Sequence, residues 1–136
     1  MQRRIFLKSV VKALSALSLI TLTRKPAAAA KPSNREILLQ TVPVAGFQFY
    51  DGDRLWDRLH PNDSLQLVPE PENPHDHQAV KVIWNDNQLG YVPRRDNTAI
   101  SQMLSRRQPV IARIGELQQS HDPWARLTMN IYMVHV

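Results

Sequence analysis

Apolar and polar residues alternate in short runs between Glu36 and Val136, and such runs are typical of β-strands with one buried face. The clearest run is Ala79 to Trp84, in which Val80, Val82 and Trp84 fall on one face. Turn-forming residues separate the runs, so each predicted strand is short. The other predicted strands are Ile37 to Phe47 with a break at Pro43, Leu65 to Val68, Gln88 to Val92, Ile111 to Leu117 and Leu127 to Val136.

Two segments have helical spacing. Arg54 to Leu59 is predicted to form one helical turn that ends before Pro61. A longer helix begins after Asp96 or Asn97, either of which can cap it, and its apolar stripe has i, i+3, i+4 spacing. That stripe consists of Ile100, Met103 and Leu104. Because helices do not alternate with strands, we predict a mostly β fold: a small antiparallel β-barrel of about six strands with one or two short helices.

The N-terminal segment has the features of an export signal. Residues 2–8 match the bacterial twin-arginine pattern, in which paired arginines precede a variable residue, Phe, Leu and often Lys. The apolar stretch from Ala13 to Thr23 is too short to span a bilayer, which takes about 20 residues of helix. The small residues Ala27 to Ala30 then offer a signal peptidase site before Lys31.

We therefore predict a twin-arginine (Tat) signal peptide over residues 1–30, a lead-in and the start of the first strand over 31–41, and the β domain over 42–136. This organisation implies passing contact with the Tat translocase and signal peptidase, no stable membrane span, and a bacterial protein that is periplasmic or secreted. Two alternatives are a cytosolic protein with a disordered basic tail and an uncleaved amphipathic anchor on the membrane surface.

The net charge of +5 is concentrated at the N-terminus. Residues 1–30 hold six of the 17 Lys and Arg residues and no acid, so residues 31–136 carry a net charge of −1. Non-specific nucleic-acid binding needs many phosphate contacts from Lys and Arg, so any anion site in the domain must be local. The chain has no cysteine, which excludes disulfides, thiolate metal ligands and a cysteine nucleophile.

Four segments occur in the order and spacing of the HIRAN domain: Val44 to Tyr50, Glu70 to Asp76, Ala79 to Val82 and Leu89 to Pro93. The chain resembles this family from about Val42 to Leu117, and its strongest mark is the element N-P-x-D-x-x-A-[VI]-x-V. The resemblance implies a small barrel related to OB-like and SH3-like folds. It also implies a binding module, because HIRAN domains fused to helicase-like remodelling proteins grip the free 3′ end of single-stranded DNA.

The resemblance implies an end-binding pocket made of Phe49, Asn73, His75, Asp76, Tyr91 and Arg94. In this pocket Phe49 would stack on a base, and Arg94 would contact a phosphate. Asn73 and Asp76 would lie near the terminal sugar, beside Tyr91 as a further wall. A carboxylate there accepts from a 3′ hydroxyl and repels a 3′ phosphate. The implied partner is an end of single-stranded DNA or of another nucleic acid.

Two positions depart from the DNA-binding members of the family. Gln48 stands where they have a cation, and His75 stands where they have a tyrosine. Both changes reduce the grip on an oligonucleotide, although a protonated His75 can still meet a phosphate.

The same residues also have structural interpretations. Asn73 and Asp76 stand in a turn-rich loop, where their side chains can accept backbone N–H groups. Phe49 and Tyr50 alternate on a predicted strand, so one faces the core and only the other can contact a ligand. Four arginines flank the predicted helix and form either a local anion patch or a solvated surface: Arg94, Arg95, Arg106 and Arg107.

A second hypothesis is a metal-dependent hydrolase of phosphoester or acid-anhydride bonds. His75 and His77 flank Asp76, with Glu70 and Glu72 upstream, and these side chains offer ligands for zinc or another divalent metal. The hydrolase needs a third ligand near the two histidines. The sequence has no G-x-S-x-G element, P-loop or H-E-x-x-H, so no catalytic residue is predicted.

A third hypothesis is a cell-envelope interaction protein that uses the surface of the domain. The three hypotheses differ in what they require of the structure. The binding module needs Phe49 exposed beside Asp76, the hydrolase needs its third metal ligand, and the interaction protein needs neither.

Overall fold

The computed structural model of the chain describes residues 35–135. The predicted signal peptide lies outside the described residues, as do residues 31–34 of the predicted lead-in. Within residues 35–135, no helix has the length and apolar character that a membrane crossing requires.

Six strands and two short α-helices make up the described part of the chain. The strands are β1 (Arg35–Pro43), β2 (Ser64–Pro69), β3 (Val80–Trp84), β4 (Asn87–Tyr91), β5 (Val110–Leu117) and β6 (Leu127–His135). The helices are α1 (Gly52–Leu55) and α2 (Thr98–Ser105), and 3-10 turns lie at Phe47–Phe49, Trp56–Arg58, Arg94–Asp96 and Pro123–Ala125. The predicted mostly β fold with six antiparallel strands and short helices is confirmed.

The six strands form one antiparallel sheet in the order β1-β6-β5-β2-β3-β4. The sheet does not close, so the prediction of a barrel is wrong in that respect. Between the two edge strands, the described residues form a single bridge just beyond the end of β1 instead of a ladder. In this bridge Ala45 and Tyr91 exchange backbone hydrogen bonds of 2.8 and 2.9 Å.

The end of β1 explains why the sheet stays open. Pro43 terminates the strand, where the sequence predicts a break, but the chain does not continue as a strand afterwards. Gly46 has a φ of 73°, a left-handed conformation that suits glycine, and it directs the chain into the Phe47–Phe49 turn. The prediction that Phe49 and Tyr50 alternate on a strand is therefore wrong. Neither ring is buried.

The β3–β4 hairpin follows the sequence pattern closely. In β3, Val80, Val82 and Trp84 are buried and the residues between them are partly exposed. Asn85 and Asp86 connect the strands with φ angles of 43° and 64°, the two positive angles of a type I′ turn. This turn pairs Trp84 with Asn87 and Ile83 with Gln88. A register shift between Val82 and Ile83 then brings Tyr91, at the end of β4, opposite Lys81.

One hydrophobic core lies beneath the sheet and fixes the segments around the site. Ile100 of α2 is buried in it, and α2 contacts both β2 and β5. Phe47 is also fully buried, and its ring meets Trp56 edge-to-face at a centroid distance of 5.9 Å. The chain from Gly46 to Leu59 is therefore anchored at both ends, since Leu59 is buried as well.

Candidate functional site

A cleft of about 330 Å³ lies where the end of β4 meets the loop between β2 and β3. Five of the six site residues predicted from the sequence line it: Asn73, His75, Asp76, Tyr91 and Arg94. Tyr50 lines it too, a residue outside the predicted pocket. The structure thus brings together residues from three separate segments of the chain.

Phe49 is the predicted residue that does not line this cleft. It is 76% exposed, whereas Tyr50 is 39% exposed and meets the Tyr91 ring at 5.9 Å and 63°. A Cβ built on Gly46 would lie 3.4 Å from the Tyr50 ring and 3.8 Å from the Phe49 ring, so both rings lie beside that glycine. Tyr50 and Tyr91 form the aromatic wall, and Phe49 stands outside it.

The loop between β2 and β3 is built by its own side chains. The Asn73 side-chain oxygen accepts from the backbone N–H groups of His75 at 2.9 Å and Asp76 at 3.2 Å. Asp76 in turn accepts from the backbone N–H of Gln78 at 2.9 Å through Oδ1. The structural interpretation of Asn73 and Asp76 is therefore correct, and the loop presents both residues to the cleft in a fixed conformation.

Asp76 is an anion at neutral pH. Burial tends to raise the pKa of its carboxyl group, but hydrogen bonds from the Gln78 N–H and the Asn97 side chain lower it. Electrostatic interaction with the Arg94 guanidinium and with the His77 side chain acts in the same direction. The balance holds the pKa of Asp76 below its ordinary value, so the cleft contains a carboxylate with its proton removed.

The buried side chain of Asn97 stabilises this carboxylate with a hydrogen bond. It is 1% exposed and stands at the N-cap position of α2, but its side chain makes no capping hydrogen bond. Its Nδ2 instead donates to Asp76 Oδ2 at 2.8 Å, while its Oδ1 is buried without a hydrogen-bond partner. The sequence predicts Asn97 only as a helix cap. The signal it offered was a polar residue just before a helix, and this does not distinguish the two roles.

Glu70 and Lys81, which do not line the cleft, form a polar group with the cleft residue Tyr91. Lys81 Nζ lies 3.2 Å from a Glu70 carboxylate oxygen. Burial, together with a hydrogen bond to the Glu70 carboxylate, raises the pKa of Tyr91 to about 12. Tyr91 therefore keeps its proton at any physiological pH, and its ring is a neutral wall of the cleft.

Arg94 is the cation of the cleft. Its side chain is exposed, and its Nη2 lies 3.3 Å from the His75 backbone oxygen, which it holds by a hydrogen bond. The other arginines near α2 do not line the cleft. Arg95 is paired with Asp96 at 3.3 Å, while Arg106 and Arg107 lie at the far end of the helix. The four arginines thus do not form one anion patch around this site.

The described residues do not supply the metal site that the hydrolase requires. Within residues 35–135, no group of three or more His, Asp or Glu side chains is arranged to hold a metal ion. His77 Nδ1 lies 3.0 Å from the Pro71 backbone oxygen, and His77 does not line the cleft with His75. The third ligand near His75 and His77 is therefore missing from this part of the chain.

Comparison with known proteins places the chain in a family. The family model of the HIRAN domain matches residues 37–134. A crystal structure of a protein from Lactobacillus plantarum superposes with a TM-score of 0.65 at 21% identity, covering 76% of this chain and 99% of that one. The crystal structure of the HIRAN domain of human HLTF gives a TM-score of 0.53 at 21% identity, covering 73% and 77%.

No curated protein matches the chain. The two structural similarities establish a shared fold, because their identities are low. The family model, by contrast, extends over most of the chain, from near the start of β1 to near the end of β6. The chain therefore belongs to the HIRAN domain family.

Proposed function

We propose that the cleft binds the end of a single-stranded nucleic acid, or a related ligand that carries phosphate. The observation that supports this is the convergence of an aromatic wall, a carboxylate and a guanidinium on one cleft: Tyr50 with Tyr91, Asp76 and Arg94. The HIRAN resemblance implies the same ligand.

Each group has a part in recognising a strand end. A base stacked on an aromatic ring gains about 1 to 3 kcal/mol, and Tyr50 offers the ring inside the cleft. Ionised Asp76 accepts a hydrogen bond from a 3′ hydroxyl and repels a 3′ phosphate. Arg94 then neutralises the phosphate that links the terminal nucleotide to the next one. Phe49, exposed next to the cleft, is available to the neighbouring base.

The proposed binding involves few contacts with phosphate groups. Residues 31–136 carry a net charge of −1, and Arg94 is the arginine that lines the cleft. Few phosphates are therefore neutralised on binding, so the affinity should depend only weakly on salt compared with a protein that tracks a long strand. This expectation separates end recognition from general nucleic-acid binding.

The test is fluorescence anisotropy of residues 31–136, without the basic N-terminal segment, with labelled short single-stranded DNA that ends in a 3′ hydroxyl or a 3′ phosphate, at two salt concentrations. We expect tighter binding to the hydroxyl end. Asp76→Asn should weaken that binding by about tenfold and remove the preference, because a charge-assisted hydrogen bond and a repulsion are both lost. Arg94→Gln should weaken binding to both ends.

Asp86→Asn is the matched control, because it makes the same chemical change in the distant β3–β4 turn. It should bind as the parent does. Circular dichroism of each variant shows whether the fold is kept, and Arg94→Gln, at an exposed position, keeps the test informative if Asp76→Asn unfolds. Equal affinity for the two ends, or no binding to either, would contradict the proposal.

We also propose that residues 1–30 export the protein through the Tat system, so that it meets its ligand in the periplasm or outside the cell. The support for this is the sequence of residues 2–8 and the small residues before Lys31. Extracellular nucleic acid, rather than chromosomal DNA, is then the relevant ligand.

A further inference from the structure

A second cleft lies on another part of the domain and has a larger volume, about 490 Å³. One wall is formed by α1 and the 3-10 turn after it, with Asp53, Trp56 and Asp57. The other wall is the loop between β5 and β6, with Gln119 and His121. None of these residues lines the candidate nucleic-acid site. The volume is within the range of roughly 300 to 1,000 Å³ that small-molecule sites occupy.

The walls of this cleft are held in place by internal contacts. Arg126 forms an ion pair with Asp53 on one wall, and its Nε donates to the Ser120 backbone oxygen on the other at 2.8 Å. Asp122 caps the Pro123–Ala125 turn by accepting from the Trp124 N–H at 3.0 Å. Trp56 is fixed by its edge-to-face contact with buried Phe47. The cleft is therefore formed before any ligand arrives, which lowers the entropic cost of binding.

The charges in the cleft determine which class of ligand can bind. Asp53 and Asp57 are separated by one helical turn on one wall, whereas Arg126 stands between the walls. Because the charges of Arg126 and Asp53 offset each other in their ion pair, Asp57 is the carboxylate left to repel a small anion, and the nearby guanidinium weakens the attraction of a small cation. A neutral ligand requires no counter-charge from the cleft.

The hydrogen-bonding groups of the lining narrow the class of ligand further. Carboxylates only accept, a guanidinium only donates, and the Gln119 amide does both. A hydroxyl group can donate to Asp57 and accept from Arg126, so a ligand with several hydroxyls satisfies this mixed lining. Trp56 adds an apolar ring surface against which the C–H face of a sugar ring can pack. From this lining we infer that the second cleft binds a neutral saccharide.

The inference is tested by titrating the full chain, labelled with ¹⁵N, with cellobiose and with N-acetylglucosamine, and recording amide shifts by NMR. Inorganic phosphate and methylguanidinium serve as the anionic and cationic comparisons. We expect saturable shifts at residues 53–57 and 118–126 with at least one saccharide in the millimolar range. Neither charged compound should shift these residues saturably. Asp57→Asn should weaken saccharide binding about fivefold, because its hydrogen bond loses the charge.

Asp86→Asn again serves as the matched control and should leave saccharide binding unchanged. The inference fails if neither saccharide shifts residues 53–57 and 118–126, if a charged compound binds there more tightly, or if Asp57→Asn binds like the parent. It also fails if the saccharide shifts appear at Tyr50, Asp76 and Arg94 instead. Because the two clefts share no lining residue, this outcome does not depend on whether the first binds nucleic acid.

Discussion

An uncharged neighbour, Asn97, contributes to the lowered pKa of Asp76. Asn97 is buried, and its amide donates to one oxygen of the Asp76 carboxylate, while the backbone of Gln78 donates to the other. These donors outweigh the effect of burial and keep the pKa of Asp76 below its ordinary value. Asn97 leaves its own Oδ1 without a hydrogen bond, which costs free energy. This arrangement of the site therefore lowers the free energy of unfolding.

Asn97→Ala should raise the pKa of Asp76 and lower the free energy of unfolding at neutral pH by about 1 to 3 kcal/mol, because a hydrogen bond to a charge is lost and a cavity is left. The native pKa of Asp76 lies below its unfolded value. Its ionised form therefore stabilises the fold above the unfolded pKa, and this stabilisation is lost as the pH falls through the native pKa. The difference between variant and parent should accordingly shrink in acid. NMR titration of the Asp76 carboxyl group and urea unfolding at two pH values measure both effects.

Asn130→Ala is the control for this variant. Asn130 accepts a hydrogen bond from the Thr41 hydroxyl at 2.8 Å and belongs to β6. Its replacement should lower stability without moving the pKa of Asp76. An Asp76 pKa that stays unchanged in Asn97→Ala would show that Asn97 does not set it.

Much of the candidate site follows from the sequence because its residues belong to a motif with fixed local spacing. Asn73, His75 and Asp76 stand together in one loop, and the structure places them together in the cleft. Phe49 and Tyr50 were harder to assign, because the alternation argument holds only on a strand and Gly46 turns the chain into a 3-10 turn. The contact between Asn97 and Asp76 joins residues 21 positions apart, and no local pattern encodes it.

At the scale of elements, the bridge between Ala45 and Tyr91 depends on a glycine. Gly90 has a φ of 153°, which side chains rarely adopt, and a Cβ built there would lie 2.3 Å from the Ala45 oxygen. That oxygen accepts the hydrogen bond from the Tyr91 N–H. Any side chain at position 90 would therefore separate the end of β4 from the segment after β1.

Gly90→Ala should lower the free energy of unfolding by at least about 2 kcal/mol, because strain and a backbone clash add to the loss of two hydrogen bonds. It should also weaken ligand binding in the first cleft, where Ala45 and Tyr91 are both wall residues. Urea unfolding and the anisotropy assay measure the two effects. Gly115→Ala is the matched control, because its Cβ would meet only side-chain atoms, the nearest being Thr128 Oγ1 at 3.1 Å. Equal stability of the two variants would argue against the role of Gly90.

The strands could be predicted because burial on one face imposes a period of two on each of them. The β3–β4 turn could also be predicted, since Asn and Asp tolerate the positive φ angles of a type I′ turn. Whether the sheet closes could not be predicted. Closure depends on pairing between segments distant in sequence: β1 pairs with β6 but ends at Pro43, and beyond it the chain meets β4 only at the Ala45–Tyr91 bridge within the described residues.

At the scale of the whole molecule, the charge is divided unevenly between two parts of the chain. The N-terminal 30 residues are strongly basic, and residues 31–136 are close to neutral. The basic part fits recognition by an export system, and the near-neutral part fits selective binding at single sites rather than general attraction to nucleic acid.

Replacing Arg3 and Arg4 together by lysine should abolish export in a bacterium with a Tat system, because lysine keeps the charge but not the planar guanidinium group. The parent chain should appear in the periplasmic or secreted fraction, shortened at its N-terminus, and the double variant in the cytoplasm at full length. Cell fractionation followed by mass spectrometry provides the measurement. Arg24→Lys, the same change outside the pair, should be exported normally. A parent chain that stays in the cytoplasm at full length would rule out the signal.

The open sheet gives the first cleft a second role, in the cooperativity of the domain. One half of the sheet consists of strands β1, β6 and β5, and the other half consists of β2, β3 and β4. The two halves share one hydrophobic core. They are joined by strand pairing at Ser64 and Leu65 and by the Ala45–Tyr91 bridge. Any parting of the halves at the bridge must widen the cleft that these two residues line. A bound ligand opposes that local opening by mass action. Its binding therefore raises the free energy of partial unfolding.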